Sequence, residues 1–349
     1  MKFSNSLINW YLQNKRDLPW RNTVNPYFIW LSEIMLQQTR VAQGLPYYLS
    51  FTRSFPTVFD LANAQEEQVL KLWQGLGYYS RARNLHATAQ YIAFELNGKF
   101  PATYKELIKL KGVGEYTAAA IASFANNEPV AVLDGNVFRV LSRYFNMESD
   151  ISLPKTKKEF QQVAQAVIDK NKPALFNQAI MEFGALQCVP KNPNCEACNL
   201  NSSCAGLQHK KVAILPVKNK KIKVTKRYLN YLILKDADAN FIVQKREGKG
   251  IWENLYEFPV LETEVLLTEN EAIDQIKKLE FYNKKPLEIL ILNTDVILHK
   301  LSHQHLHIRF FALHFDSKLP DSKPFTTLQK LPFPIVIHNF IVSNYFNSY

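Results

Sequence analysis

All four cysteines of this chain fall in one run, CVPKNPNCEACNLNSSC, at Cys188, Cys195, Cys198 and Cys204. No other feature narrows the fold as much. Clustered thiols in an intracellular chain point to a metal centre rather than to disulfides. Zinc usually takes two close pairs, and here only Cys195 and Cys198 form a Cys-x-x-Cys, so spacing leaves zinc and an iron–sulfur cluster both open. Four thiolates leave no position for a substrate. The array therefore reads as a structural or redox centre, and the chemistry must lie elsewhere.

With 349 residues the chain is long enough for two cores, and 47% hydrophobic and 13% aromatic content describe a folded protein. No apolar run has the length of a membrane span, and the polar start MKFSNSLINWYLQNK lacks the apolar stretch of a signal peptide, so we expect an intracellular protein with no membrane partner. Up to Cys204 the apolar spacing is helical: residues 4–14, Phe28–Gln43, Glu66–Trp73, Tyr79–Asn97, Lys155–Lys170 and FNQAIMEFGALQC. From Arg227 the pattern changes. RYLNYLIL, NFIVQKR, LEILILN and HIRFFALHF read as strands, with TENEAIDQIKKLE as a helix among them. The fold class is a multidomain chain, an all-α part over 1–206 followed by an α+β part over 227–349. The connector 207–226 is basic. Lys210–Arg227 holds eight basic residues and no acidic one, and without them the net charge of +11 drops to +3. That charge fits a connector beside nucleic acid or a solvated linker, and does not choose between them.

Chemistry concentrates in three places. In LKGVGEYTAAAIASFA, Gly112 and Gly114 separate two helices, and glycines there let amides at a helix start approach a phosphate; a helix C-cap and turn filler is the plainer reading. Glu33 shares a helical face with Ile29, Trp30, Leu36 and Gln37. A carboxyl in such surroundings loses hydration and its pKa rises, which makes a proton donor near neutral pH; a solvated Glu at the helix edge is the alternative. Gln37 and Gln38 cannot both face an apolar core, so they either fill a gap left by an extruded base or cap the helix in solvent. Asp134 precedes Gly-Asn-Val and a helical run, an N-cap position, and a fixed anion there could also steady positive charge on a sugar.

These pieces resemble the helix-hairpin-helix DNA glycosylases, and most closely the adenine DNA glycosylases of the MutY type. LPWR, WLSEIMLQQTRV, GLGYYSRARNLH, GVGEYTA, LDGNVFRV and the cysteine array occur in that family's order. The resemblance implies a [4Fe-4S] cluster on the four cysteines in preference to zinc, and a structural cation is a further expectation at the hairpin. It implies that Glu33 protonates the adenine ring, that Asp134 supports the sugar cation, and that Tyr116 and Asn136 assist that centre. Trp20 and Arg21 match the pocket side of LPWR, while Gln38 and Tyr78 match residues entering the base stack. The expected substrate is duplex DNA carrying adenine opposite 8-oxoguanine or guanine, the expected state a monomer in the cytoplasm or nucleoid.

Related glycosylases that also cut the strand, like endonuclease III, carry a lysine where Tyr116 stands. A tyrosine cannot form their imine, so base removal without efficient strand cleavage is expected. Lys111, where relatives often have proline, leaves weak lyase activity open. The C-terminal part resembles the family's Nudix-like domain. Its LSHQHLH loop, with Leu301 in place of the family's Phe, implies Ser302, His303 and His305 as 8-oxoguanine contacts. His303, His305 and His307 at period two also suit the decoration of one strand face, or a His-x-His metal site. IWENLYEFPVLETEVL lacks the paired acidic cluster that holds Mg²⁺ for pyrophosphate hydrolysis, so the domain reads as a recogniser. A pyrimidine-damage glycosylase/lyase and a non-catalytic lesion binder remain the alternatives.

Overall fold

Prolines and short polar caps cut the N-terminal part of the chain into helices. α1 (Phe3–Asn14) is followed by a Pro-Trp-Arg 3₁₀ turn, then α2 (Pro26–Leu36), which Asn25 caps by accepting from the Tyr27 amide and which Pro26 opens. α3 (Val41–Ser54) and α4 (Val58–Asn63), the latter with a Thr57/Asp60 capping box, precede α5 (Glu66–Trp73), α6 (Ser80–Gln90) and the one-turn α7 (Tyr104–Leu107). α8 (Glu115–Asn126), α9 (Gly135–Tyr144), α10 (Pro154–Val167), α11 (Pro173–Leu186) and α12 (Ala205–Gln208) complete the series. The computed structural model describes residues 3–219 and 223–343, so Lys220–Ile222 of the basic connector lies outside the described residues. The chain divides into two compact units, Met1–Ala64 with Arg83–Lys220, and Gln65–Ala82 with Lys221–Tyr349.

The first unit is helical. Its core gathers Leu7 and Tyr11 of α1, Ala120 of α8, Val137 and Leu141 of α9, Phe160 of α10 and Phe176, Ile180 and Phe183 of α11. The alanines of α8, Ala118 to Ala122 about Ile121, are all buried, and their small size admits α2 alongside. Phe28–Gln43 is not one helix. α2 stops at Leu36 because Gln38 adopts a left-handed φ of 58°, which turns the chain toward α3, and Gly44 of α3 then approaches so closely that a Cβ there would meet Leu36 Cδ2 at 2.8 Å. Tyr79–Asn97 likewise divides, α6 giving way to a π-helical turn over Tyr91–Glu95. Neither break carries a proline or glycine at the break itself.

In the hairpin between α7 and α8 only one glycine is left-handed. Gly112 has φ 76°, and a Cβ there would lie 2.7 Å from Asn84 Cβ; Gly114 has φ −90° and open space where a side chain would stand. The expectation of special backbone freedom holds for Gly112 and not for Gly114, whose use is the empty approach to the start of α8.

The second unit is built on β1 (Thr225–Lys235), with the two-residue β2 (Gln244–Lys245) and β3 (Tyr256–Glu257), β4 (Val260–Thr263), α13 (Glu269–Ile276), β5 (Glu288–Ile291), β6 (Ile297–Lys300), β7 (Gln304–His314), α14 (Phe325–Leu328) and α15 (Ile335–Val342). The main sheet runs β4-β1-β7-β5, with β6 also paired to β7 and β1 parallel to β7 in the register Tyr231↔Phe310. β1 and β7 are buried on both faces, which explains why Leu229–Leu234 and Ile308–Leu313 read as unbroken apolar runs. Leu232, Phe311 and Leu313 meet Ala272 and Ile276 of α13 on one face. On the other, Phe310 stacks on Phe340 of α15 at 3.8 Å. NFIVQKR forms only β2 and isolated bridges at Phe241, to Lys235 and Lys323. No helix among the described residues is long and apolar enough to cross a membrane.

Gln65–Ala82 belongs to this second unit. α5 buries Val69, Leu70 and Trp73, and Lys71 Nζ donates to the Gln329 and Leu331 carbonyls at 2.7 and 2.9 Å. Lys245 pairs with Glu67 at 2.6 Å, and Asn254 Nδ2 donates to Glu66 at 2.7 Å. Gly112→Ala should lower stability by about 1–3 kcal/mol through the left-handed backbone, whereas Gly114→Ala should change it by less than about 1 kcal/mol. Denaturant titration of the two variants checks the contrast.

Candidate active site

The helical unit holds a partly open pocket of about 180 Å³, smaller than the roughly 300–1,000 Å³ of sites that enclose a whole drug-sized ligand. Four pieces of chain converge on it. The 3₁₀ turn supplies Trp20 and Arg21, α2 supplies Ser32 and Glu33, α8 opens with Tyr116, and the start of α9 brings Asp134 and Asn136. α11 closes the wall with Gln178, Met181 and Glu182.

Glu33 is 7% exposed. Burial pushes its carboxyl up to about 7; a hydrogen bond from Tyr116 and the charge of Arg21 pull it down, and the nearby Asp134 pushes it further up. Tyr116 is itself raised well above its ordinary value by burial and by the two carboxylates, and its hydroxyl oxygen lies 3.2 Å from Met181 Sδ. Asp134 caps α9: its Oδ1 accepts from the Val137 amide at 2.8 Å, and its Oδ2 from Asn136 Nδ2 at 2.7 Å. Burial raises its pKa, and these two donors offset only part of that rise. Capping thus fixes the direction of a carboxylate that faces the same pocket as Glu33.

Asn136 is held in turn. Arg139 Nη2 donates to Asn136 Oδ1 at 2.9 Å and to the Gly184 carbonyl at 2.6 Å, and Arg139 Nε donates to the Cys188 carbonyl at 2.7 Å. A Cβ on Gly184 would stand 2.7 Å from Asn136 Cβ, so glycine lets α11 close against α9 here.

Sequence reasoning passed over Glu182. It is 1% exposed and takes two arginines: Arg16 Nη2 at 2.6 Å with Arg16 Nε at 2.8 Å, and Arg21 Nη2 and Nη1 at 2.7 and 2.9 Å. Burial alone would raise its pKa, but the bonds from Arg16 and Arg21 outweigh that and hold it at about 2. The rule that singled out Glu33, a carboxylate on an otherwise apolar helix, applies equally to Glu182 in FNQAIMEFGALQC and would have found it.

The remaining expected residues lie apart from the pocket lining. Gln37 Nε2 donates to Thr117 Oγ1 at 3.0 Å, and Gln38 is exposed on the turn after α2. In the second unit the Tyr78 hydroxyl and Ser302 Oγ form a hydrogen bond. The His303 carbonyl accepts from the Thr225 amide at 3.0 Å. His305 and His307 share a face of β7, opposite Lys226 and Tyr228 of β1, and the His307 and Tyr228 rings lie 5.0 Å apart.

The four cysteines line one hollow whose other walls include Val140, Phe183, Leu200 and Leu207. Arg143, 2% exposed, spans its rim: Nη1 donates to Cys188 Sγ at 3.4 Å and to the Val189 carbonyl at 2.8 Å, Nη2 to Pro190 at 2.9 Å, and Nε to Leu215 at 3.1 Å. Gly206 meets the Arg143 carbonyl so closely that a Cβ would lie 2.3 Å from its oxygen. Burial raises the thiols of Cys195, Cys198 and Cys204, Cys198 to about 11.

Residues 31–167 match the family of HhH-GPD superfamily base excision DNA repair proteins, and residues 230–342 match the NUDIX domain. An adenine DNA glycosylase of Buchnera aphidicola subsp. Baizongia pistaciae is 39% identical over 308 residues, 88% of this chain and 84% of that one. The chain belongs to the adenine DNA glycosylases. The human enzyme of that name is 44% identical over 215 residues, 59% of this chain and 39% of its own length. Among solved structures, a thermostable thymine-DNA glycosylase shares the fold at a TM-score of 0.55 and 28% identity, covering 59% of this chain and 95% of its own. As an adenine DNA glycosylase the chain hydrolyses the N-glycosyl bond of adenine in DNA, a base-excision repair reaction.

Removing Glu182 leaves two cations without their shared partner, so Glu182→Leu should cost about 3–5 kcal/mol of stability near neutral pH. Its carboxyl ionises below the usual 4.5, so its contribution is complete above that pH and is lost as the pH falls toward 2. The gap between the two proteins in chemical denaturation should therefore close on acidification.

Proposed function

We propose that this chain excises adenine paired with 8-oxoguanine or guanine in duplex DNA, with Glu33 as the acid and without efficient strand cleavage. The observation that carries the reading is a buried Glu33, its pKa raised to about 7, sharing one pocket with a capped Asp134. Adenine leaves deoxyribose poorly as an anion. A neutral Glu33 carboxyl can hand it a proton, which general acid catalysis values at about 10²–10⁴-fold. As the base departs, positive charge grows on the sugar. Asp134, aimed by the Val137 amide and Asn136, stabilises that charge by about 4 kcal/mol at ~4 Å and an effective dielectric of ~20. Trp20 and Arg21 shape the pocket wall and Tyr116 orients Glu33.

Entry to this pocket requires the adenine nucleotide to swing out of the duplex, at a few kcal/mol. Amides at the start of α8, open beyond Gly114, and the basic connector grip phosphates, while Gln37 and Gln38 near the turn after α2 fill the vacated stack. A structural cation at the hairpin belongs to the same reading. Where strand-cutting relatives place a lysine this chain has Tyr116, which supplies no imine.

The opposite base is read by the Nudix-like unit. Tyr78 and Ser302, each expected near that base, are hydrogen-bonded to each other, and His303 and His305 follow Ser302 in sequence. Glu257 here is engaged by Arg246 at 2.9 and 3.1 Å and by Tyr231, as suits a recogniser rather than a second hydrolase. The enzyme works inside the cell as a monomer.

The thiol set suits an all-sulfur cluster: the four cysteines line one hollow, and a buried arginine donates to Cys188 Sγ. Cys188, Cys195, Cys198 and Cys204 would hold a [4Fe-4S] cluster, which supplies a rigid, redox-capable core when bound. Loading releases protons from thiols that burial has made weak acids. Purified protein should carry about four iron atoms and matching sulfide per chain, and Cys198→Ser should lose both together with visible absorption; zinc in their place would reject the cluster.

Glu33→Gln should bind an A:8-oxoguanine duplex and slow single-turnover adenine release by about 10²–10⁴-fold. In the unchanged enzyme that rate should fall about tenfold per pH unit above about 7, as Glu33 ionises. Its raised pKa also favours the fold most below 4.5, a benefit lost as the pH rises through 7, so Glu33→Gln should exceed the parent in stability at pH 8 by on the order of 3 kcal/mol. Undiminished release in the variant would remove Glu33 as the acid.

A further inference from the structure

Tyr78 sits on a backbone that tyrosine does not choose. Gly75, Gly77 and Tyr78 all have left-handed φ, of 98°, 79° and 48°, and Tyr78 is 49% exposed at the tip of the resulting loop. A bulky side chain at positive φ persists only where its surroundings over-determine it.

Those surroundings are organised by Arg81. Its guanidinium lies over the Trp73 ring at 5.2 Å and over the Tyr78 ring at 5.6 Å. Nη2 donates to the Gly77 carbonyl at 3.1 Å and to the Leu76 carbonyl at 3.4 Å, and the Arg81 amide donates to the Tyr78 carbonyl at 2.9 Å. Trp73 Nε1 also donates to the Gly77 carbonyl, at 3.0 Å. The arginine is 9% exposed, and its burial depresses its pKa to about 10. A buried cation is thus spent on shaping one short loop, whose outward product is the direction of Tyr78 and its hydrogen bond to Ser302.

We propose that Arg81 is a positioning residue for mispair discrimination, acting through Tyr78 rather than touching DNA. The proposal rests on the reading of Tyr78 as a contact beside the opposite base. The planar guanidinium matters, because it serves two ring faces and two carbonyls at once; an ammonium on a flexible stem cannot do so.

The test is a double-mutant cycle in the full-length protein, read as the ratio of affinities for duplexes with adenine opposite 8-oxoguanine and opposite guanine. Arg81→Met and Tyr78→Leu should each lower that ratio about tenfold, and the double variant should lose no more than either single one. Arg81→Lys, which keeps charge and stem, should lose about threefold and serves if Arg81→Met folds poorly in thermal denaturation. Additive losses, or an unchanged ratio in both Arg81 variants beside a loss in Tyr78→Leu, overturn the role of Arg81 alone. An unchanged ratio in Tyr78→Leu removes the underlying reading of Tyr78 and the proposal with it.

Discussion

Three carboxylates face one pocket, and the structure depends on how their protons are divided. Two arginines border that pocket, and both are bound by Glu182, which stays ionised down to a pH of about 2. Arg21, engaged there, is the smallest of the influences on Glu33, whose carboxyl burial pushes up to about 7. Asp134 takes neither arginine; a backbone amide and Asn136 hold it instead. Environment alone thus pushes apart two glutamates that begin with the same acidity, Glu33 upward and Glu182 downward.

That arrangement draws on both helix ends and helix middles. Tyr116 stands one residue into α8, and Asp134 is the cap of α9. Ser32, Glu33 and the α11 residues come from helix interiors, where packing against neighbours fixes them. Arg139 ties the α9 end to α11 and to the cysteine loop through Asn136, Gly184 and Cys188. Arg143, one turn later, holds the same loop from the other side. Two successive arginines on one short helix therefore set both the pocket and the thiol array.

Much of this was legible in the chain. Glu33 betrayed itself as a charge on an apolar face, Asp134 as a cap, and the cysteines by crowding. The helical spacing and the change of period at Arg227 gave the two kinds of architecture. Breaks without proline or glycine were not legible: the turn at Gln38 arises from how α3 closes on α2, and the π-helical turn after Gln90 has no local signature. Glu182 was missed although it obeys the rule that revealed Glu33. The fate of Gln65–Ala82 lay beyond any local pattern, because α5 looks like its neighbours and only Lys71, Glu66 and Glu67 reveal its partners.

The assignment of that segment changes the connectivity of the protein. A chain with two successive domains passes between them once; this one passes at 64–65, again at 82–83 and finally at 220–221. The basic connector is the single covalent tie of Lys221–Tyr349 to the rest of the chain, and after a protease nick within it that piece would be held to Gln65–Ala82 by noncovalent contacts alone. Synthesis has a corresponding order: α5 and its loop leave the ribosome long before Lys245, Asn254 and Gln329–Phe333 exist, and must wait for the partners that will receive them.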